Sequence, residues 1–267
     1  MSFVRVEKPR PHTSVIAMDR PQRMNSMAFD LVMPLLEAFR EVAADNDTWC
    51  AVLTGTGRAF CSGADTRDAS PPPNIEGLTL TRIATRAMDT VSSLVPAVRR
   101  MPQPVICAVN GAAIGGGLCL TLGADIRIAG ESAYFRAAGI NNGLTSTELG
   151  LSFLLPRAIG ASRAFEIMLT GRDVSAREAA EIGLVSRTVP DSELLGAALD
   201  LADTLNGWST QGVALTKRML WAGLETASLD AAIELESHTQ LFVRLTTQNF
   251  EEAERARKEG RKPVFED

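Results

Sequence analysis

The chain is 267 residues long, 45% hydrophobic and mildly acidic, with a formal net charge of −5 at pH 7. That length suits one sizeable α/β domain or a core with an appendage, and the apolar content predicts a packed globule rather than disorder. The basic residues are spread out and form no Lys/Arg stripe, which argues against a nucleic-acid partner.

The N-terminus, Met1-Ser-Phe-Val-Arg-Val-Glu-Lys8, mixes charges within a strand-like pattern and lacks the apolar run of a signal peptide. His12 is expected in an exposed turn, and His238, the other histidine, on a charged helix. Residues 15–18 and 51–54 read as buried strands. Between them, over 29–43, Phe29, Val32, Met33, Leu36 and Phe39 recur at helical spacing. Strand, helix, strand of this length is a βαβ unit, implying a parallel sheet and a right-handed crossover. Cys50, Cys61, Cys107 and Cys119 sit in apolar runs with no C-x-x-C pair. Buried reduced thiols, a cytoplasmic location and no metal site are the expectation.

Thr54-Gly-Thr-Gly-Arg-Ala-Phe-Cys-Ser-Gly-Ala-Asp65 follows the second strand. Gly55-x-Gly57 begins like a dinucleotide fingerprint, but the third glycine falls on Phe60 and no helix pattern starts there. Residues 68–77 form a proline-rich surface loop, expected to be mobile, and 79–98 a helix. No charge occurs between Arg100 and Asp125, long enough to cross a bilayer. Asn110-Gly111 and three glycines break that span, so a strand (104–109), a turn and a buried helix (118–124) fit better.

Gly115, Gly116 and Gly117 are the most informative residues. Each would cost about 1 kcal/mol against alanine inside a helix. At a helix N-terminus they let the backbone approach a ligand and leave N–H groups unpaired, which favours developing negative charge. Gly63-Ala64-Asp65 offers a comparable turn. Two backbone N–H groups, one from each turn, would clamp one carbonyl oxygen and stabilise an enolate or tetrahedral oxyanion.

Residues 126–129 add a strand, at whose start Asp125 is expected to have a structural role. Beyond Leu144 the pattern is helical over 148–159, 161–169, 176–182, 192–205, 211–224, 229–246 and 250–259, with a short extended piece at 185–189. The organisation expected is a core over 1–190 and a helical cap or oligomer-forming region over 191–267. Thr145-x-x-Glu148 has the form of a capping box, in which the glutamate bonds back to the cap backbone. Asn141-Asn142-Gly143 reads as a turn, with orientation of a substrate or water as the alternative.

Arg20-Pro21 with Met24-Asn25-Ser26, Cys61-Ser-Gly-Ala-Asp65, the segment from Pro104 to Gly117, and Asp125-Ile-Arg-Ile-Ala-Gly130 together resemble the enoyl-CoA hydratase/isomerase (crotonase) superfamily. Leu169-Thr-Gly171 and Ala179-Ala-Glu-Ile-Gly-Leu-Val185 match as well, and the resemblance runs from about residue 4 to the C-terminus. It implies an α/β crotonase-type spiral of ββα turns with a helical C-terminal region. It also implies a homotrimer or dimer of trimers, and an acyl-CoA thioester as ligand, with no cofactor beyond the coenzyme A of the substrate. By position it assigns the oxyanion hole to the backbone N–H groups of Ala64 and Gly116. It assigns coenzyme A and substrate contacts to Arg23, Met24, Asp65, Thr66, Arg67 and Gly115. Lys262 and Phe265 match a segment that reaches a neighbouring subunit's ligand in relatives.

The departures from the family pattern matter more. The two glutamates of its hydratases fall at Cys119 and Gly139, now acyl-pocket positions, and a thiol and a glycine do not supply an acid and a base. Glu148 stands instead in the register of the catalytic acid of the family's enoyl-CoA and dienoyl-CoA isomerases. The resemblance therefore implies an enoyl-CoA hydratase/isomerase-type enzyme working through a thioester enolate, tilted toward isomerisation by Glu148. The alternatives are a hydratase with non-standard acid/base residues, or a catalytically weak acyl-CoA-binding protein.

Overall fold

A computed structural model describes residues 2–68 and 70–265; Met1, Ala69 of the proline-rich loop and the last two residues of the expected helical region lie outside them. Strand β1 (Val4–Arg10) pairs antiparallel with β2 (Thr13–Met18). Helix α1 (Phe29–Ala44) crosses to β3 (Cys50–Gly55), which lies parallel to β2 with Val15 opposite Val52. This is the expected βαβ unit, and Leu31, Leu35, Phe39 and Val42 form the buried stripe of its helix.

The chain then repeats one plan. β3 is followed by β4 (Ala59–Cys61), β5 (Val105–Val109) by β6 (Ala112–Ile114), and β7 (Ile126–Gly130) by β8 (Tyr134–Arg136). Helices α2 (Leu80–Ser92) and α3 (Leu94–Arg100) close the first turn, α4 (Gly116–Gly123) the second, and α5 (Leu151–Ile159) and α6 (Ala161–Thr170) the third. After them come β9 (Asp173–Ser175), α7 (Ala176–Glu181) and β10 (Arg187–Val189). The first strand of each pair adds to a six-stranded sheet, β1-β2-β3-β5-β7-β10; the second adds to a four-stranded sheet, β4-β6-β8-β9. Parallel pairing of β3, β5 and β7, and of β4, β6 and β8, winds the chain into the ββα spiral.

One expectation is corrected in detail. The helix expected over 79–98 is broken at Ser93 into α2 and α3. The second sheet was not visible as elements, because buried strands of three residues carry no readable period.

Asparagine side chains brace the corners between paired strands. Asn25, fully buried, donates to the carbonyls of Thr56 (3.0 Å), Ala59 (2.8 Å) and Phe60 (3.2 Å), and its Oδ1 accepts from the Arg20 N–H. Asn110 donates to Gly57 O at 2.9 Å and accepts from Gly55 N–H at 3.1 Å. The Gly55-x-Gly57 segment is thus a braced corner, with the Thr56 and Gly57 carbonyls already engaged.

Helices α8 (Leu194–Asn206), α9 (Thr210–Gly223), α10 (Leu229–Thr246) and α11 (Asn249–Glu259) complete the chain. Leu194, Ala198, Leu199 and Ala202 of α8 cover the second face of the large sheet, against Val52, Ile106 and Ile128. A buried ion pair fastens α9. Lys217 Nζ lies 2.8 Å from Asp125 Oδ2 and donates to the Gln103 carbonyl at 2.8 Å. Asp125 also accepts from Trp221 Nε1 (2.7 Å) and Val105 N–H (2.7 Å), the structural role expected of it at the start of β7. Burial pushes the Lys217 pKa down against the pull of Asp125. Lys217→Ala would leave Asp125 short of its counter-charge. The expected loss is about 3–5 kcal/mol of stability, read from urea midpoints; an unchanged midpoint would mean that the pair does not fasten α9.

Candidate functional site

The site forms where the corner after β4 meets the corner after β6. Gly63, with φ of +80°, turns the chain so that Met27 N–H donates to Gly63 O (2.7 Å) and Asp65 N–H donates to Met27 O (3.0 Å). Ala64, between these bonds, has no backbone acceptor for its N–H among the described residues and is exposed. On the facing corner, Gly115 N–H donates to Arg136 O at 2.9 Å, and Gly115 adopts φ 54°, ψ −119°, a conformation for glycine alone. Gly116 then opens α4, its N–H likewise without a backbone acceptor among the described residues. A Cβ built on Gly63 would lie 3.3 Å from Gly116 N, so the two turns are in contact.

Each glycine of the triplet has its own reason. A Cβ would lie 2.0 Å from Cys61 O at Gly117, 2.8 Å from Met27 Sδ at Gly116, and 3.2 Å from Glu148 Oε1 at Gly115. The last distance places the Glu148 carboxyl beside the Gly115–Gly116 peptide.

Glu148 does not cap a helix. Helix α5 starts at Leu151, three residues later than expected, and its cap position is Gly150 in the left-handed region with no side-chain bond. The capping-box reading fails because Leu149 (φ 47°) and Gly150 (φ 87°) turn the chain away before the helix begins. The carboxyl is half-buried and makes no hydrogen bond or ion pair among the described residues; burial raises its pKa above the ordinary 4.5.

The two positions to which the resemblance assigns the hydratase glutamates hold no second acid. Cys119 is fully buried, burial raises its thiol pKa far above the ordinary value, and its Sγ donates to the Glu148 carbonyl at 3.4 Å. At Gly139 a Cβ would lie 1.9 Å from Thr145 O, so the following loop fills the space a side chain would need. Asn141 and Asn142 belong to the turn: Asn142 Nδ2 donates to Ala138 O at 3.1 Å, and Asn141 packs against Gly171.

On the other side of Ala64, a cavity of about 270 Å³ is lined by Arg23, Met24, Asp65, Thr66 and Arg67 together with Arg58. The Asp65 side chain is 3% exposed and turned inward. It accepts from Ser26 Oγ (2.8 Å), Arg67 N–H (3.0 Å), Asp68 N–H (3.2 Å) and Arg20 (3.3 Å), and pairs with Arg23. Burial alone would raise its pKa, but the bonds from Ser26, the Arg67 amide and Arg23 outweigh it and hold the carboxyl at about 2. Asp65 therefore braces the turn and keeps the arginines in place. Its stabilising contribution is present above the ordinary carboxylate pKa of 3.8 and is lost as pH falls toward 2.

Within the chain, Lys262 and Phe265 are not brought to this cavity. Lys262 is exposed, and Phe265 lines a separate cavity of about 730 Å³ with Trp208 and Phe250 beneath the C-terminal helices. Leu149 and Met27, which pack against Gly116, had no signal of their own in the sequence beyond the neighbouring Gly150.

Comparison with known proteins gives one answer. The family model described as enoyl-CoA hydratase/isomerase matches residues 12–267. A probable enoyl-CoA hydratase of Mycobacterium bovis is 60% identical over 100% of this chain and 94% of its own length. The crystal structure of a probable enoyl-CoA hydratase/isomerase from Mycobacterium abscessus superposes with a TM-score of 0.95 at 53% identity, covering 99% of this chain and 98% of that one. A monofunctional enoyl-CoA isomerase from M. smegmatis has a TM-score of 0.75 at 51% identity, over 87% of this chain and 99% of that one.

The crowding at Gly139 has a testable consequence. Gly139→Glu, alone or with Cys119→Glu, is expected to lower stability by about 1–3 kcal/mol by overpacking and to yield no new 3-hydroxyacyl-CoA from a 2-enoyl-CoA. Thermal melts and loss of the conjugated thioester absorbance check the two halves; a stable, hydrating double variant would refute the steric account.

Proposed function

This chain belongs to the enoyl-CoA hydratase/isomerase family, and within it we propose that the protein shifts the double bond of an enoyl-CoA, with Glu148 as its single acid/base. The observation that carries the reading is the half-buried, unpartnered Glu148 carboxyl next to Gly115, with no second acid at Cys119 or Gly139. In this reading the thioester oxygen lies between the N–H groups of Ala64 and Gly116. Each donor is worth about 3 kcal/mol as negative charge develops there. Glu148 takes a proton from C2 of a 3-enoyl-CoA, the dienolate places its charge on the bound oxygen, and the same carboxyl returns the proton at C4. One base acting on both carbons needs no water and no second carboxylate.

Coenzyme A is proposed to lie along the cavity beside Ala64, where Arg23, Arg58 and Arg67 supply positive charge for its phosphates. Met24, Thr66 and Gly115 would contact its thioester end. A trimer, or a pair of trimers, is the proposed assembly. It is supported by Leu229, Ile233, Leu241, Phe242 and Leu245, which α10 leaves exposed. Lys262 and Phe265 would then act toward a neighbouring subunit. Four unpaired, buried cysteines support a cytoplasmic setting. Among the described residues no helix is long and apolar enough to cross a membrane.

Proton NMR of a 3-enoyl-CoA and a 2-enoyl-CoA incubated with the protein in D2O tests the reaction. A shifted double bond is the expected result, with deuterium at C2 or C4 to the extent that the proton held by Glu148 exchanges with solvent before its return. A 3-hydroxyacyl product would make the protein a hydratase with unusual acid/base residues. Binding by calorimetry with unchanged spectra would make it an acyl-CoA-binding protein.

Glu148→Gln is expected to lower kcat by at least about 100-fold with coenzyme A affinity retained; unchanged turnover would remove Glu148 from the mechanism. The pH dependence follows from its raised pKa. A base must be ionised, so kcat/KM should fall as pH drops through a value above 4.5, and this limb should belong to Glu148. The stability counterpart has a definite sign. With its folded pKa raised, Glu148 stabilises the fold below pH 4.5 relative to higher pH, and that contribution is lost as pH rises through the folded value. Glu148→Gln should therefore melt higher than the parent at pH 7, with the gap narrowing on acidification. A variant that melts lower at pH 7 would contradict the burial cost assigned to the carboxylate.

A further inference from the structure

We propose that Leu149 is a positioning residue that locks Glu148 to the first turn of α4; this rests on the isomerase reading of Glu148. A carboxyl that must carry a proton between two carbons cannot be tied by permanent hydrogen bonds, and Glu148 is not. Its aim has to come from the main chain, and the main chain around it is unusually constrained. Leu149 has φ of 47°, in the left-handed region that a leucine adopts only when its surroundings enforce it. Gly150 continues the same turn at φ 87°.

Two anchors hold that turn. The Glu148 carbonyl accepts from Leu151 N–H at 2.8 Å and from Cys119 Sγ at 3.4 Å. The Leu149 side chain fills the space over Gly116: a Cβ built on Gly116 would lie 3.2 Å from Leu149 Cδ1. Leu149 therefore rests on the residue whose N–H is the proposed oxyanion donor, while Cys119 comes from the same helix. Base and oxyanion donor are held as one body: the left-handed turn at Leu149 directs Glu148 toward Gly115, and the Leu149 side chain wedged over Gly116 keeps that turn in place. Losing the wedge would let the carboxyl wander and would admit water around it. Proton transfer tolerates neither, since a displacement on the order of 1 Å can slow a reaction about 100-fold.

The test is Leu149→Gly, which removes the wedge and adopts the left-handed turn without strain, so the chain is expected to fold. With a 3-enoyl-CoA as substrate, kcat should fall roughly 100-fold and KM should stay within about two-fold. The acid limb should move down toward 4.5 as water relieves the burial of Glu148. Leu149→Met, unbranched and of similar length, should restore most of kcat and the raised limb. Unchanged kcat, or a slower enzyme whose limb has not moved, would overturn the proposal. A gain on longer acyl chains with the limb unmoved would also overturn it, making Leu149 a wall of the cavity of about 1010 Å³ that it also lines. A ¹³C titration of the Glu148 carboxyl, assigned by its loss in Glu148→Gln, needs no turnover. It separates this proposal from the isomerase reading. If Glu148→Gln remains active that reading fails, yet a downward move of the titration in Leu149→Gly still upholds the positioning and no move still refutes it.

Discussion

At Gly117 the main chain runs so close to the Cys61 carbonyl that a single added Cβ would lie 2.0 Å from the oxygen. This backbone-on-backbone contact between successive turns of the spiral is the constraint on which the site depends. It brings the corner after β4 against the start of α4, where the N–H groups of Ala64 and Gly116 have no backbone acceptor among the described residues. All eight residues of α4 are buried, so the helix has no freedom to tilt away. Pre-set dipoles of this kind need no reorganisation when charge develops between them.

Two carboxylates close to this contact have opposite environments. Asp65 is surrounded by donors from Ser26, Arg67, Asp68, Arg20 and Arg23, and its pKa is held at about 2. It is ionised throughout the physiological range and works as a brace. Glu148 is half-buried with no donor among the described residues, and burial raises its pKa. Groups whose environments push their pKa values apart in this way fall naturally into structural and chemical roles. The ionised, unpaired Glu148 and the left-handed Leu149 are each unfavourable for stability.

Much of the large sheet was legible because its buried strands are β-branched runs of five or six residues, and α1 shows a clear apolar stripe. The small sheet was not, since Ala59–Cys61, Ala112–Ile114 and Tyr134–Arg136 are too short to show alternation. Glycines were legible as a class: Gly63 and Gly117 stand where a backbone oxygen leaves a Cβ no room, Gly116 lies against Met27 Sδ, and Gly115 adopts a conformation for glycine alone. The helix start at Glu148 was misread because Thr145-x-x-Glu148 satisfies the capping pattern, whereas the left-handed pair Leu149-Gly150 that cancels it leaves only one glycine as a trace.

The resemblance to the family implied that Cys119 and Gly139 stand where its hydratases carry glutamates; by itself the sequence determined an α/β core of parallel strands and two glycine-rich turns able to offer free N–H groups. These are local properties: side-chain chemistry, periodicity and the absence of a Cβ. Only the tertiary structure decided that Gly63 lies against Gly116, that Asp65 points inward, and that Glu148 stands beside Gly115 with no partner among the described residues. Each of these depends on which distant segment fills the neighbouring space, from Cys61 against Gly117 to Thr145 against Gly139, and packing between segments far apart in the chain has no period to read.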